Sequence, residues 1–162
     1  MALSDYTSPD LVRATLGVSD LELSDETLAL SIYEMQVKLD LEEISDTLAA
    51  TYLTAAALPS DSRTTAQQKL VDLTQLFSTY SVSKNLLTSL KMFGPKRITD
   101  GRAETERFDP MAEIKLGILA NYSTIRTKLI AAYTNMGGSP AAQTTRTWVG
   151  TAALGTDPVT GA

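Results

Sequence analysis

The chain of 162 residues contains no cysteine and no histidine. Without cysteine it can form no disulfide, which is compatible with a reducing compartment. The missing side chains also exclude the usual zinc, haem and iron–sulfur sites, as well as catalysis by a serine–histidine or cysteine–histidine pair. We therefore expect a protein that has no cofactor, no metal and no enzymatic activity.

Long apolar runs are missing too, because nowhere do about 18 apolar residues follow one another, as a membrane-spanning helix requires. The opening sequence MALSDYTSPD is acidic and lacks the basic start and apolar centre of a signal peptide. We expect no contact with a membrane and synthesis and retention in the cytoplasm.

Charge is distributed unevenly along the chain. The net charge is −5, which argues against a generic nucleic-acid binder. Residues 1–58 carry 11 acids and 2 bases, whereas residues 59–136 carry 7 acids and 11 bases. Opposite charges at two ends let identical copies attract head to tail, the type of contact that closes a ring. The alternative is a chance polarity on a soluble monomer.

Helix-capping residues predict an all-α domain, a small bundle of about four helices. Ser8 and Pro9 begin the first helix and Gly17 ends it. Ser24 caps a second helix, which we expect to continue to about residue 44. Its apolar residues recur at spacings of three and four and form one face: Leu28, Ile32, Met35 and Leu39.

The remaining helices are longer. Residues 45–60 are ambiguous between a short helix and a packed loop, and a long helix starts near Thr64 and ends before Gly94. Asp109 caps the last helix, which ends at Gly137. Two apolar stripes support these helices. The stripe of the long helix comprises Leu70, Leu73, Phe77, Tyr80 and Leu87. The stripe of the last helix comprises Met111, Ile114, Ile118, Tyr122, Ile125, Leu129 and Tyr133.

Residues 96–108 have a different character, with the sequence KRITDGRAETERF. The Asp100-Gly101 pair is typical of a tight turn, so we predict a small β-hairpin or extended arm. Its alternating charges suit the surface or a contact with another subunit. The candidate residues for contact with a neighbouring subunit or tail component are Arg97, Ile98, Arg102, Arg107 and Phe108. The basic side chains favour an acidic protein surface over DNA phosphate, because no aromatic residues are interleaved for base stacking.

Two patterns invite a catalytic or metal-binding interpretation. Tyr80 and Lys84 have the tyrosine-to-lysine spacing of short-chain dehydrogenases, but the glycine-rich turn of a dinucleotide fold is missing. We interpret Tyr80 as core and Lys84 as a surface residue that complements the helix dipole. We interpret the second pattern, a cluster of carboxylates, as a solvated acidic face: Asp40, Glu42, Glu43 and Asp46.

Residues 137–162 form a tail that is rich in glycine, alanine, serine and threonine. Such a segment cannot bury enough apolar area to fold by itself, so the domain should span residues 1–136. Yet the tail holds the only tryptophan of the chain, Trp148, which is followed by Val149 and later by Leu154. Since tryptophan is a common interface anchor, we expect these three residues and Arg146 to dock on a partner. The alternative is a frayed terminus.

The opening SPDLVRATLGV, an acidic second helix, a long third helix and the KRITDGRAETERF segment together resemble phage head-to-tail connector proteins, the adaptors of the neck. The resemblance covers roughly residues 7–136. It implies a structural protein of the virion neck, present in the host cytoplasm during assembly.

The resemblance further implies a ring of identical subunits, usually twelve, beneath the portal protein. Such a ring extends the DNA channel, lets DNA pass without sequence-specific binding, and presents a surface to the next tail or nozzle component. The C-terminal tail would dock on the portal or on a neighbouring subunit. The alternative function is a small cytoplasmic protein-binding or assembly-chaperone module that forms no ring.

Overall fold

The computed structural model describes residues 3–90, 97–100, 103–106 and 110–141. Most of these residues are helical, which confirms the all-α class. The helices are α1 (Pro9–Leu16), α2 (Asp25–Leu28), α3 (Ser31–Glu42), α4 (Leu48–Ala56), α5 (Thr65–Leu90) and α6 (Pro110–Asn135), with short 3₁₀ turns at Leu3–Asp5 and Ser60–Ser62.

Helix α1 begins and ends where its capping residues predict. The Ser8 side chain accepts a hydrogen bond from the Leu11 backbone N–H, and Pro9 occupies the first turn. Gly17 adopts a left-handed conformation with φ of 68°, which glycine reaches without a steric penalty. Capping chemistry is local, so the sequence is sufficient to place both ends.

The predicted second helix is wrong as a single element. It divides into α2 and α3 at Leu30, whose backbone is extended. The buried Val37 lies nine positions after the buried Leu28. At 3.6 residues per turn that separation places two side chains on opposite sides of one continuous helix. The break therefore allows both side chains to enter the core.

The ambiguous segment after α3 forms helix α4. Its Tyr52 is buried and stacks on Tyr6, with ring centroids 5.5 Å apart. The Tyr52 hydroxyl donates to the backbone carbonyl of Asp5 at 2.6 Å. These contacts attach the first turn of the chain to α4, so the amino-terminal residues belong to the core.

Helices α5 and α6 pack along one another and supply much of the core. The predicted stripe of α5 is buried at Leu70, Leu73, Phe77 and Leu87. Helix α6 buries Ile118, Leu129 and Tyr133 of its predicted stripe.

The buried side of α5 also contains small hydroxyl residues. Ser78 donates to the Thr74 carbonyl and Ser83 to the Thr79 carbonyl, each at 2.8 Å. The hydroxyls of Thr79 and Thr7 share a hydrogen bond of 2.7 Å. Small side chains that satisfy their own hydroxyls leave room for neighbouring elements to approach α5 closely.

Between α5 and α6, strand β1 (Arg97–Asp100) pairs antiparallel with strand β2 (Ala103–Glu106). The register joins Arg97 to Glu106 and Asp100 to Ala103. The turn between the strands and all side chains of this segment lie outside what the structure describes. Its predicted role in subunit contacts stays a prediction.

Candidate interaction site

A buried carboxylate joins three helices. Asp40 of α3 is only 7 % exposed, and its Oδ2 atom accepts hydrogen bonds from Ser81 Oγ at 2.6 Å and from the Tyr122 hydroxyl at 3.2 Å. Lys84 Nζ lies 3.5 Å from the same oxygen. Gln36 donates to the other carboxylate oxygen at 3.0 Å. A buried charge that is paired and hydrogen-bonded in this way does not bear the full cost of desolvation.

The lysine and tyrosine of this polar joint also contact each other. Lys84 Nζ lies 4.0 Å from the centre of the Tyr122 ring, a cation–π contact, and the same ring stacks on Phe77 at 5.1 Å. Burial raises the pKa of the Tyr122 phenol, and the charge of Asp40 raises it further. The phenol therefore stays protonated near neutral pH and serves as a hydrogen-bond donor. The geometry supports a structural role for the joint.

Tyr80 and Lys84 do not act together, despite their dehydrogenase-like spacing. The Tyr80 hydroxyl accepts a hydrogen bond from Asn121 Nδ2 at 3.3 Å, while Lys84 points to Asp40. Our interpretation of Lys84 as a surface residue is wrong, because the Asp40 carboxylate and the Tyr122 ring hold its ammonium group between helices. The sequence pattern did not reveal these partners, which lie 44 and 38 residues away along the chain.

The carboxylate cluster is also partly misinterpreted. Glu42, Glu43 and Asp46 are exposed, as expected of an acidic face, but Asp40 is buried. Glu43 forms an ion pair of 3.0 Å with Arg126 of α6. No group of three potential metal ligands converges anywhere in the part of the chain that the structure describes.

A second joint fixes the start of the C-terminal tail. Helix α6 ends at Asn135, and Gly137 has a φ of 83°. A Cβ atom on Gly138 would lie 2.4 Å from the Tyr133 ring, so glycine is required for the close approach. The Tyr133 hydroxyl, in turn, shares hydrogen bonds with the hydroxyls of Ser45, at 3.2 Å, and of Thr47.

Beyond Gly138 the chain stays in contact with the helical body. The Ala141 backbone N–H donates to the Ile44 carbonyl at 2.7 Å. This hydrogen bond lies beside an open groove of about 670 Å³. The groove is lined by Glu43, Ile44, Ser123, Arg126, Thr127, Ile130, Pro140 and Ala141. Residues 138–141, the first part of the tail, thus lie against the body next to the end of α3.

The predicted docking residues Arg146, Trp148, Val149 and Leu154 lie outside the described residues, as do Arg102, Arg107 and Phe108. Arg97 and Ile98 lie on β1, whose backbone alone is described. The structure therefore does not test whether these residues come together, and their roles stay predictions.

Sequence reasoning missed a group of exposed apolar residues. Ile32, Met35 and Leu39 on α3 and Leu116 on α6 are more than half exposed. The spacing of the first three correctly assigns them to one helix face. It could not show that this face points outward, because Val37 and Leu41 form a second apolar face on the same helix.

Within the described ranges, no helix combines the length and hydropathy needed to cross a bilayer. In comparisons with known proteins, no family model matches the chain, and neither a curated protein nor a solved structure shows significant similarity to it.

Proposed function

We propose that this protein is a structural adaptor between the head and tail of a tailed phage. Copies of the chain assemble into a ring of twelve beneath the portal protein and extend the DNA channel towards the tail. The chain performs no catalysis and binds no cofactor. DNA passes through the lumen without base-specific contacts, and the virion neck is the site of action.

The observation that carries this proposal is the contact between the start of the C-terminal tail and the helical body. Gly138 lies against Tyr133, and the Ala141 N–H donates to the Ile44 carbonyl just after α3, so the tail begins at a defined place on the body. We expect the residues that follow, 142–162, to serve a partner rather than to complete the core. Trp148, in that tail, is the type of side chain that anchors interfaces.

The acidic balance of the chain supports the role of a DNA conduit. A net charge of −5 opposes tight binding of phosphate, which suits a channel through which DNA must move. We further propose that the basic residues of segment 96–108 contact an acidic neighbour, with Arg97 and Ile98 on β1 among them.

Limited proteolysis with and without purified portal protein tests the docking of the tail. We expect cleavage beyond Ala141 in the free protein and protection in the complex, with the fragments identified by mass spectrometry. Unchanged cleavage in the presence of portal would contradict docking. Negative-stain images of the mixture should show rings on the portal; a small complex of fixed stoichiometry without a ring would instead favour the chaperone-like module.

A single substitution sharpens the same test. Trp148→Ala should weaken binding to portal by about 2 kcal/mol or more if the indole is a buried anchor. The thermal stability of the helical body should not change. Leu21→Ala is the matched control, because Leu21 is 95 % exposed on the body and lies far from the tail in sequence. Equal binding by both variants would argue against Trp148 as the anchor.

A further inference from the structure

Helices α3 and α6 lie side by side with an open groove between them. Asp40 bonds Tyr122 and, about one turn later on both helices, Glu43 pairs with Arg126. Because later residues of α3 pair with later residues of α6, the two helices run in the same direction. The groove of about 670 Å³ described above lies at the carboxyl end of α3, where both members of the Glu43–Arg126 pair line it.

Helix α6 extends its side of the groove with exposed apolar residues. Ser123, Thr127 and Ile130 line the groove itself. Leu119 and Leu116 precede Ser123 by four and seven positions, a spacing that keeps them on the same side of the helix. They are 38 % and 68 % exposed. Towards the start of α6, the polar lining near Ser123 therefore gives way to apolar side chains.

Helix α3 extends the opposite side in the same way. Glu43 lines the groove, and Leu39 and Ile32 precede it by four and eleven positions on the same side of the helix. Both are more than half exposed, whereas Val37 and Leu41 on the inner side are completely buried. The core does not need the outer pair. Exposed apolar side chains on both helices thus flank one path between them, and such a cluster commonly marks an interaction surface.

The chain's own tail reaches this groove at its polar end. Gly138 lies against Tyr133 of α6, and three residues later the Ala141 N–H donates to the Ile44 carbonyl. Pro140 and Ala141 are themselves part of the groove lining. The chain thus turns back at the end of α6, and the residues after Ala141 start from the groove.

The tail is long enough to follow the groove to its apolar end. Ile32 lies twelve residues before Ile44, which is about 18 Å along an α-helix. Trp148 follows Ala141 by seven residues, and an extended chain of that length spans at most about 25 Å. The indole can therefore reach every exposed apolar side chain along the path.

The order of residues in the tail also matches the groove. The first residues after Ala142 are polar, with the sequence QTTRT at positions 143–147, and they would pass the polar lining formed by Glu43 and Ser123. The apolar Trp148 and Val149 come next, at the distance where the exposed apolar side chains lie. Polar and apolar segments of the tail thus meet their counterparts in the same sequence.

We infer that residues 142–149 of the free subunit bind in the groove between α3 and α6 of the same chain, with the Trp148 indole over the exposed apolar side chains. These side chains are Ile32, Leu39, Leu116 and Leu119. The tail of the same chain is the occupant because residues 140 and 141 already lie in the groove. The next residues are therefore present at a high effective concentration, an advantage that a separate molecule lacks.

The contact goes beyond the proposed function, because it forms in the free subunit and needs no portal. Ordering the tail offsets much of the free energy that the indole gains by burial, so the contact is reversible and adds little to the stability of the helical body. A partner that binds Trp148 would displace the tail from the groove. Residues 150–162 extend past the groove and stay open to cleavage in the free protein.

Intrinsic fluorescence of the natural protein tests the contact without a label, because Trp148 is the only tryptophan. A synthetic peptide of residues 142–162 serves as the water-exposed reference. We expect blue-shifted emission and acrylamide quenching at least twofold weaker than for the peptide, at every protein concentration. Emission and quenching equal to those of the peptide would overturn the inference. Protection that is lost on dilution would identify a second copy as the occupant and would also overturn it.

Substitutions in the groove show where the indole lies. Leu39→Gln combined with Leu116→Gln should shift the emission to the red and raise quenching to the level of the peptide. Both leucines are more than half exposed, so the helical content measured by circular dichroism should not change. The control carries Leu21→Gln and Leu76→Gln, exposed leucines on other elements, and should keep the natural spectrum. Unchanged protection in the groove variant, or equal loss in the control, would overturn the inference.

Cysteine cross-linking locates the tail independently, because the natural chain contains no cysteine. One variant carries Leu39→Cys and Thr147→Cys in the same chain, and a short bismaleimide should join the two positions within the monomer, as identified by mass spectrometry. The control carries Leu76→Cys and Thr147→Cys and should give only background, since Leu76 lies on the side of α5 away from Ser81. Equal linkage in both variants, or linkage only between chains, would overturn the inference.

Discussion

The two sides of α3 reverse the usual distribution of residues. On the inner side the charged Asp40 is buried, and on the outer side three large apolar side chains are exposed. The inner carboxylate finds its partners in Ser81, Lys84 and Tyr122, so it is stabilised where it lies. The outer residues find none among the described residues. The inner side thus fixes the position of α3 in the helical body, whereas the outer side stays exposed.

The comparison also shows why a buried charge is retained. Replacing a buried ion pair by apolar residues is often neutral or stabilising, so stability alone does not require one. A carboxylate that binds groups on two other helices accepts only one arrangement of α3, α5 and α6. We therefore interpret the polar joint as a device that sets the orientation of the outer α3 face.

The largest effect should follow from removing the buried carboxylate. Asp40→Ala leaves Ser81, Lys84 and Tyr122 without their common acceptor, and we expect a loss of about 3 kcal/mol in the free energy of unfolding. Urea denaturation followed by circular dichroism measures it. Asp46→Ala, an exposed aspartate on the same acidic segment, should change stability by less than about 0.5 kcal/mol. Equal effects would mean that the joint does not hold the helices.

Two glycines test the difference between a closed and an open environment. Gly138→Ala forces a Cβ atom against the Tyr133 ring and should destabilise the protein by about 2 kcal/mol. Gly117→Ala meets no atom within 4 Å on the surface of α6, so it should stabilise by about 0.5–1 kcal/mol through helix propensity. Thermal melts of both variants provide the comparison. Effects of the same sign would contradict the packing of the tail exit.

Alkaline pH should weaken the polar joint. Burial raises the pKa of Tyr122 in the folded protein, so between the unfolded value of about 10 and the folded value the native state binds more protons than the unfolded state. Stability is therefore fully present below pH 10 and falls as the pH rises above it. Burial also raises the pKa of Tyr6 and Tyr52, which contribute in the same direction.

The Tyr122→Phe variant isolates one part of that dependence. Denaturation curves recorded from pH 8 to pH 11 should show a shallower decline than those of the natural protein. Tyr33→Phe is a suitable control. Tyr33 is half-buried on α3, the helix that carries Asp40, but it makes no hydrogen bond to Asp40. Identical declines for the natural and Tyr122→Phe proteins would contradict the raised pKa of this phenol.

The smallest effect on the isolated subunit is expected at the outer face of α3. Ile32→Gln combined with Leu39→Gln removes no buried contact, so stability at low concentration should change by less than about 0.5 kcal/mol. Dilute thermal melts check this expectation. A large loss would mean that the outer residues support the fold, and the contrast between the two sides of α3 would then fail.

Local signals in the sequence were sufficient for much of the fold. Ser8 and Gly17 mark the two ends of α1 correctly, and the glycines after Asn135 mark the end of α6. The apolar stripes of α5 and α6 are buried largely as predicted. The helix predicted from Ser24 failed, because capping and periodicity do not reveal that Leu28 and Val37 must both enter one core.

The candidate site was less accessible to sequence reasoning. Asp40 looked like one carboxylate in an acidic run, and Lys84 looked like a residue at the end of a helix. Their meeting depends on how α3 packs against α5 and α6, and hydrogen-bonded partners in this joint lie up to 82 residues apart. Nothing in the neighbourhood of either residue in the sequence encodes that separation.

The sequence by itself determined the helical class, the ends of several helices and the exclusion of disulfides and histidine chemistry, because these follow from residue type and local spacing. Only the tertiary structure decided which side of α3 is buried, which carboxylate finds partners and where residues 138–141 contact the body. A helix with two apolar faces fits either orientation, and the choice is made by Ser81, Lys84 and Tyr122, which bond Asp40 from two other helices.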